Sequence, residues 1–246
     1  MLPNCYVQAK NDIDLLFDFC YSAKLGAESQ SNPVIPFVCA NDILISKYNI
    51  VVGSVEECTK YFTRLGIEPP QQIELKYYKD FLGRNIYHDI KLQDIGNFPV
   101  FIKPNNIIKQ FNGFVAHKKW DIDFEIYHQK IEPDTLVQCQ DVIDVVSEYR
   151  VYVSNKRIIG CKHYTGNCLR FPDRNIIDNC FRMVDNNITN ISYTLDFGIL
   201  SNGQTILIEI NDAWAIGNYG LEPYTYYQFI KSRWLQITLD IKNDNV

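Results

Sequence analysis

The sequence lacks most of the features that would assign it quickly. Its 246 residues hold no apolar run near the roughly 18 residues that a membrane span requires. The opening residues, Met1, Leu2, Pro3, Asn4 and Cys5, do not follow the basic-then-apolar layout of a signal peptide. No long basic run occurs, and 24 basic against 29 acidic residues leave a net charge of −5, which argues against a protein that coats nucleic acid. None of the eight cysteines forms a Cys-x-x-Cys pair, so neither a redox motif nor a common zinc module is announced. No glycine immediately precedes a lysine, which removes the Walker loop, and no Gly-x-Gly-x-x-Gly turn exists. His-Glu-x-x-His and Gly-x-Ser-x-Gly are missing as well. If the chain handles a nucleotide, it uses another architecture.

What is present is ordinary globular material, 46% apolar and 22% charged, enough to bury a core as one large domain or two small ones. Methionine (2) and glycine (12) are scarce while tyrosine (16) and phenylalanine (14) are abundant, a balance that suits half-buried strands. Most cysteines sit within apolar runs, as small buried thiols do, and a reducing cytoplasm is the simplest location for them. Cys161, His163, Cys168 and Cys180 could be drawn as a zinc set. The alternation of residues 157–164 instead makes a strand there the preferred reading, with Cys161 and His163 on one face.

Residues 1–95 read as a small α/β unit. Leu15, Leu16, Phe19 and Cys20 give a helical stripe over residues 12–25, which Gly26 should end. Short β-branched runs at 35–40 and 49–52 read as strands. Ser54 with Glu57 forms a capping box that opens a helix over 55–65, stopped by Gly66. A further short helix is expected over 76–82, ended by Gly83. From residue 96 strands dominate: 99–103, 114–117, 124–129, 135–144, 148–153, 157–164, 192–199 and 204–211. Helices are expected from an Asp173 cap to 186 and from 223 to 241. The predicted class is α+β, with 96–142 as a smaller and 143–246 as a larger part of the second domain.

Four of these strands carry charge where a core strand would not. The run Val100-Phe101-Ile102 leads into Lys103. Period-2 alternation puts Glu148 and Arg150 on one face, and Glu209 and Asn211 on one face, while Asp196 lies between Leu195 and Phe197. Lys162 adds a second lysine. Buried charges must be paired or bound to ions. Three carboxylates, an amide, two lysines and an arginine on one sheet suit Mg²⁺ with a polyphosphate.

The order of these segments is informative. Phe101-Ile102-Lys103-Pro104 is followed by Lys109-Gln110-Phe111-Asn112-Gly113 and Ser147-Glu148-Tyr149-Arg150. Then come Lys162, Asp196, and Glu209-Ile210-Asn211-Asp212 with Gly217-Asn218-Tyr219-Gly220. In this, residues 98–235 resemble the ATP-grasp superfamily, and within it a clade of phage and bacterial ATP-grasp domain proteins. The resemblance implies an ATP-grasp fold of two α+β subdomains gripping ATP, preceded by the small α/β domain. It implies that Lys103 contacts the α- and β-phosphates, and that Lys109 with the turn at Gly113 covers them. Lys118 and Lys119 compete with Lys109 for that second role. The strand through Gln138, Cys139, Gln140 and Asp141 would pass the adenine, with Asp141 or Asp144 as the ribose partner. Arg150 and Lys162 would hold the γ-phosphate, oriented by Glu148. Asp196, Glu209 and Asn211 would ligate Mg²⁺, and Asp212 with 217–220 would line the acceptor side.

The implied activity is ATP-dependent carboxylate–amine ligation through an acyl phosphate, with a peptide or protein terminus as one candidate substrate. The alternatives are a nucleotide-binding assembly factor without ligase turnover and, more weakly, a kinase-like phosphotransferase. No nucleic-acid or membrane partner is expected.

Overall fold

The computed structural model describes residues 2–11, 14–105 and 111–239. Its first sheet is built around β1 (Cys5–Gln8), with β2 (Val34–Phe37) and β3 (Ile50–Val52) pairing parallel on either side in the order β2-β1-β3. Sequence pattern does not mark β1, because four residues buried on both faces show no alternation. Parallel neighbours need crossovers. Helix α1 (Asp18–Glu28) supplies one between β1 and β2, and α2 (Val55–Arg64) follows β3. Ser54 caps α2 by accepting from the Glu57 N–H at 3.3 Å, and Gly66 ends the turn at φ 70°. Burial pushes the Cys20 thiol up to about 12, so it stays a neutral apolar filler in this core.

Gly26 does not stop α1, which runs through it to Glu28. Its role is close approach: a Cβ there would lie 2.1 Å from the Pro223 carbonyl oxygen and 2.6 Å from Tyr227 Cβ. The contact is made with α5 (Pro223–Leu239). Through it, one core joins Val7, Ala23 and Phe62 to Trp214, Phe229 and Trp234. The Phe62 and Trp234 rings stack at 4.4 Å, and the Trp234 indole N–H donates to the Trp214 carbonyl at 2.9 Å.

The second sheet is antiparallel, in the order β4-β7-β5-β6, formed by β4 (Ile86–Lys91), β5 (Val100–Pro104), β6 (Phe114–Ala116) and β7 (Leu136–Gln140). Helix α3 (Lys119–Gln129) packs on it, and Ile102, Ile122, Val137 and Cys139 make its core. The strand expected over 124–129 is therefore helix. The run Trp120, Ile122, Phe124, Ile126 alternates as a strand would, but Asp121 accepts from the His117 and Lys118 N–H groups and starts a helix. Ile122 and Ile126, four apart, then face the core while Trp120, Phe124 and Tyr127 are exposed. Although β4 precedes residue 95, its partner is β7.

The third sheet, order β11-β10-β8-β9, is antiparallel: β8 (Val145–Ser154), β9 (Arg157–Gly166), β10 (Ser192–Leu200) and β11 (Thr205–Asp212). Asp173 caps α4 (Arg174–Asp185) by accepting from Asn175 N–H at 2.7 Å. Val151 and Val153 meet Cys180 and Val184 of α4, whereas Tyr152, between them, meets Phe229 of α5 on the other face. The expected short helix before Gly83 is a 3₁₀ segment, Leu75–Phe81, on the α4 side. Among the described residues no helix is long and apolar enough to cross a membrane.

The helix contact at Gly26 yields a direct test. Gly26→Val should destabilise the fold by about 1–3 kcal/mol, as overpacking does. Gly96→Ala, where an added Cβ meets nothing within 4 Å, should stay within about 0.5 kcal/mol of the parent. Urea denaturation midpoints of the two variants read the difference.

Candidate active site

A cavity of about 430 Å³ opens between the second and third sheets, lined by Lys103, Gly113, Arg150, Glu209, Asn211 and Tyr219 among others. That volume falls in the range of roughly 300–1,000 Å³ usual for ligand pockets. Strand register assembles its polar wall. Asp196 of β10 is paired with Arg150 of β8 on one side and with Glu209 of β11 on the other. Thr194 pairs with Asn211, so Glu209 and Asn211 share a face of β11 as their spacing predicts. A bulge at Ile208 sets this register, since Phe197 pairs not with Ile208 but with Leu207.

Arg150 and Asp196 form a bidentate pair deep in the sheet. Nε donates to Oδ1 at 2.8 Å and Nη2 to Oδ2 at 2.6 Å, with side-chain exposures of 7% and 2%. Burial works against the Arg150 charge, but the hydrogen bonds and charge of Asp196 outweigh it and hold the guanidinium above its ordinary value. Burial likewise pushes the Asp196 carboxyl up, and Arg150 offsets this in part. The guanidinium lies 4.6 Å from the centre of the Tyr219 ring, which in turn stacks on Tyr164 at 4.6 Å and 12°. Asn211 Nδ2 donates to Asp196 Oδ2 at 3.3 Å. Glu209 accepts from Lys103 Nζ at 2.7 Å, a bridge between the two sheets.

Other candidate residues are placed differently. Glu148, expected to orient Arg150 and Lys162, accepts from the Tyr164 hydroxyl at 2.5 Å, and Asp196 orients Arg150 instead. Lys162 sits opposite Arg150 in register, outside the cavity lining. Asp212 lines the cavity, yet its carboxylate accepts two hydrogen bonds from Arg233 and one from Asn190. Asp141 accepts from the backbone and side-chain N–H groups of Asn85. On β7, Gln138 shares the face of Lys103, whereas Cys139 is buried in the sheet's own core. Gly113 packs closely on β5, since a Cβ there would lie 2.9 Å from Phe101 Cζ and 3.2 Å from the Ile102 carbonyl oxygen. Lys109 lies outside the described residues. Lys118 rests over Trp120 and Lys119 donates to the Gln93 carbonyl, both away from the cavity lining. Val55, Gln71, Gln72 and Ile73 add a wall from the N-terminal part.

Sequence pattern does not mark Arg84. Its guanidinium donates to the carbonyls of Leu82, Leu207 and Ile208 and to Gln140 Oε1, at 2.6 to 3.0 Å. Burial pushes it down to about 10, while the Glu209 carboxylate pushes it back up. A lone arginine after a glycine carries no periodic signal.

Among the described residues no three His, Cys, Asp or Glu side chains cluster as a metal set. The donors that do meet are the carboxylates of Asp196 and Glu209 and the Asn211 amide. Glu209 and Asn211 line the cavity and carry hard oxygens of the kind Mg²⁺ takes, whereas Asp196 lies outside that lining with both oxygens accepting from Arg150.

Two antiparallel sheets closing on a cleft, lysine on one side and carboxylates on the other, define an ATP-grasp fold. Residues 81–229, more than half of the chain, match the family model for the ATP-grasp domain, R-2-K clade family 2, and the chain belongs to that family. Solved structures agree in fold. A RimK domain ATP-grasp protein from Sphaerobacter thermophilus is 9% identical with a TM-score of 0.56, covering 96% of this chain and 99% of its own. D-alanine–D-alanine ligase from Bacillus anthracis, complexed with ATP, is 10% identical with a TM-score of 0.53 and coverages of 97% and 98%. The macrocyclase MdnC from Microcystis aeruginosa, bound with precursor peptide MdnA, is 11% identical with a TM-score of 0.52 and coverages of 97% and 100%. No curated protein sequence matches the chain.

Removing one partner of the buried pair should be costly. Asp196→Ala leaves the Arg150 guanidinium buried without its counter-charge and is expected to lower stability by about 3–5 kcal/mol. Equilibrium urea unfolding of the variant and parent measures this.

Proposed function

We propose that this chain is an ATP- and Mg²⁺-dependent, ADP-forming carboxylate–amine ligase that works through an acyl phosphate. The observation that carries the reading is the Lys103–Glu209 contact, 2.7 Å across a cavity also lined by Arg150 and Asn211. Opposite charges drawn from two sheets are placed to part around a ligand that is itself a polyanion with a divalent cation. The likeness to D-alanine–D-alanine ligase favours ligation as the class, and the likeness to a macrocyclase bound with its precursor peptide favours a peptide or protein terminus as a candidate substrate.

In this reading Lys103 turns from Glu209 to the α- and β-phosphates, with the Gly113 turn above them. The strand Gln138, Cys139, Gln140 and Asp141 borders the adenine. Asp196, Glu209 and Asn211 offer oxygen ligands to Mg²⁺, which when bound supplies charge neutralisation at the phosphate oxygens. Arg150, held by Asp196 and backed by Tyr219, turns its Nη1 edge, which here donates weakly to the Gly217 carbonyl at 3.5 Å, to the γ-phosphate, and Lys162 adds charge from β9. A substrate carboxylate oxygen attacks the γ-phosphorus and ADP leaves. The amine then attacks the acyl carbonyl carbon, phosphate departs and the amine loses its proton to water. Such chemistry needs positioning and charge stabilisation more than a protein nucleophile. In the same reading the smaller and larger subdomains divide near residue 142, and Val55 with residues 71–73 of the N-terminal part serve as a wall on the acceptor side. A reducing cytoplasm suits the free thiols.

The test uses the purified protein with ATP, Mg²⁺ and a panel of peptides and amines. ADP release should depend on both metal and acceptor and should stop in EDTA. Lys103→Ala should weaken ATP binding about tenfold or more, the worth of a charge-assisted hydrogen bond, and Glu209→Ala should abolish turnover. Unchanged binding in the first and unchanged turnover in the second would overturn the site. ATP binding without acceptor-dependent ADP release would point instead to a nucleotide-binding assembly module.

A further inference from the structure

Arg84 follows Gly83 at the entry to β4 and reaches across to the other sheet. Nη1 donates to Leu207 O at 2.8 Å and Nη2 to Ile208 O at 2.9 Å. In a regular strand, consecutive carbonyls point to opposite edges. One guanidinium can take both here because β11 bulges at Ile208, the residue that the register skips. Glu209 is the next residue, and this bulge sets it opposite Asp196. Arg84 thus grips the irregularity that aims Glu209 into the cavity.

The same side chain holds the second sheet. Nε donates to Gln140 Oε1 at 2.6 Å, Gln140 Nε2 donates to Gln138 Oε1 at 2.6 Å, and Gln138 is the register partner of Lys103. Only glycine permits this approach: at position 83, with φ +60°, a Cβ would lie 2.6 Å from Ile206 Cγ2. Lysine could not replace the fork, since its single ammonium cannot span acceptors on two sheets.

We propose that Arg84 is a positioning residue that holds the β11 bulge, and with it Glu209, in fixed relation to the Gln140–Gln138 strand beside Lys103. It touches neither nucleotide nor metal. Its effect is to keep the two sides of the cleft aligned, so that Glu209 meets the cation while Lys103 meets the phosphates. The metal and nucleotide consequences rest on the proposed ATP-grasp ligase reading; the mechanical clamp does not.

Two measurements separate these. Hydrogen exchange needs no ligand: Arg84→Lys should speed exchange together in 205–212 and 136–140, leaving α1 and α5 as in the parent. Unchanged exchange in either segment would overturn the clamp. Mn²⁺ binding, followed by electron paramagnetic resonance with a non-hydrolysable ATP analogue, reads the aim of Glu209 apart from turnover. Arg84→Lys should weaken Mn²⁺ about tenfold, the worth of a lost charged hydrogen bond, while analogue binding in EDTA changes less than twofold. Millimolar guanidinium should restore part of the Mn²⁺ affinity of Arg84→Ala. A variant that merely unfolds more easily, with parental Mn²⁺ affinity, would overturn the positioning role. Failure of the parent itself to bind Mn²⁺ and analogue would sink the ligase reading, with the exchange result still deciding the clamp.

Discussion

The pair formed by Arg150 and Asp196 is the constraint around which the third sheet is organised. A guanidinium and a carboxylate removed from water are tolerated only when each satisfies the other. That requirement ties β8 to β10 in a single register, because a slip of one residue would send one partner to the opposite face. With β8 and β10 so fixed, the bulge in β11 decides what stands beside the pair. It delivers Glu209 and Asn211 rather than their apolar neighbours Ile208 and Ile210. The Tyr219 ring lies against the same guanidinium at 4.6 Å and stacks on Tyr164.

The second sheet contributes the opposite charge. Lys103 leaves an aliphatic strand to meet Glu209, so the cleft between the sheets is bridged by an ion pair rather than by packed apolar side chains. Such a contact is exchangeable in a way that a core is not. In the proposed ligase reading, phosphate oxygens would take the lysine and a cation the carboxylate. The net charge of −5 says nothing about this site, because long-range balance and local pairing are separate quantities. The N-terminal sheet is tied to the rest by the α1–α5 contact, in which Gly26 lets two helices approach at backbone distance.

The sequence is most legible where a side chain's partner lies nearby in the chain or on a regular face. The Ser54 cap, the Asp173 cap and the shared face of Glu209 and Asn211 are local consequences of residue type and period. It is least legible where one pattern has two meanings. The alternating run in α3 reads as strand until the Asp121 cap is weighed, and Gly26 reads as a helix stop until α5 is placed against it. Proximity along a strand pairs Glu148 with Arg150, yet Tyr164 from the neighbouring strand takes its carboxylate. Arg84 has no pattern at all, since each of its partners except Leu82 lies more than 50 residues away.

Residue type and spacing alone determined which strands carried charge, which faces those charges shared and which family the chain resembles. Composition alone determined that a core could form. The tertiary structure decided which charge answers which: Asp196 to Arg150, Glu209 to Lys103, Asp212 to Arg233, and Arg84 to the carbonyls of a bulge. The physical reason is range. Periodicity is a property of neighbouring residues, while the absence of motifs, basic runs and apolar spans only narrows the classes available. Ion pairs form between whatever side-chain atoms the fold brings within about 3 Å, and the register that places them is set by the whole sheet.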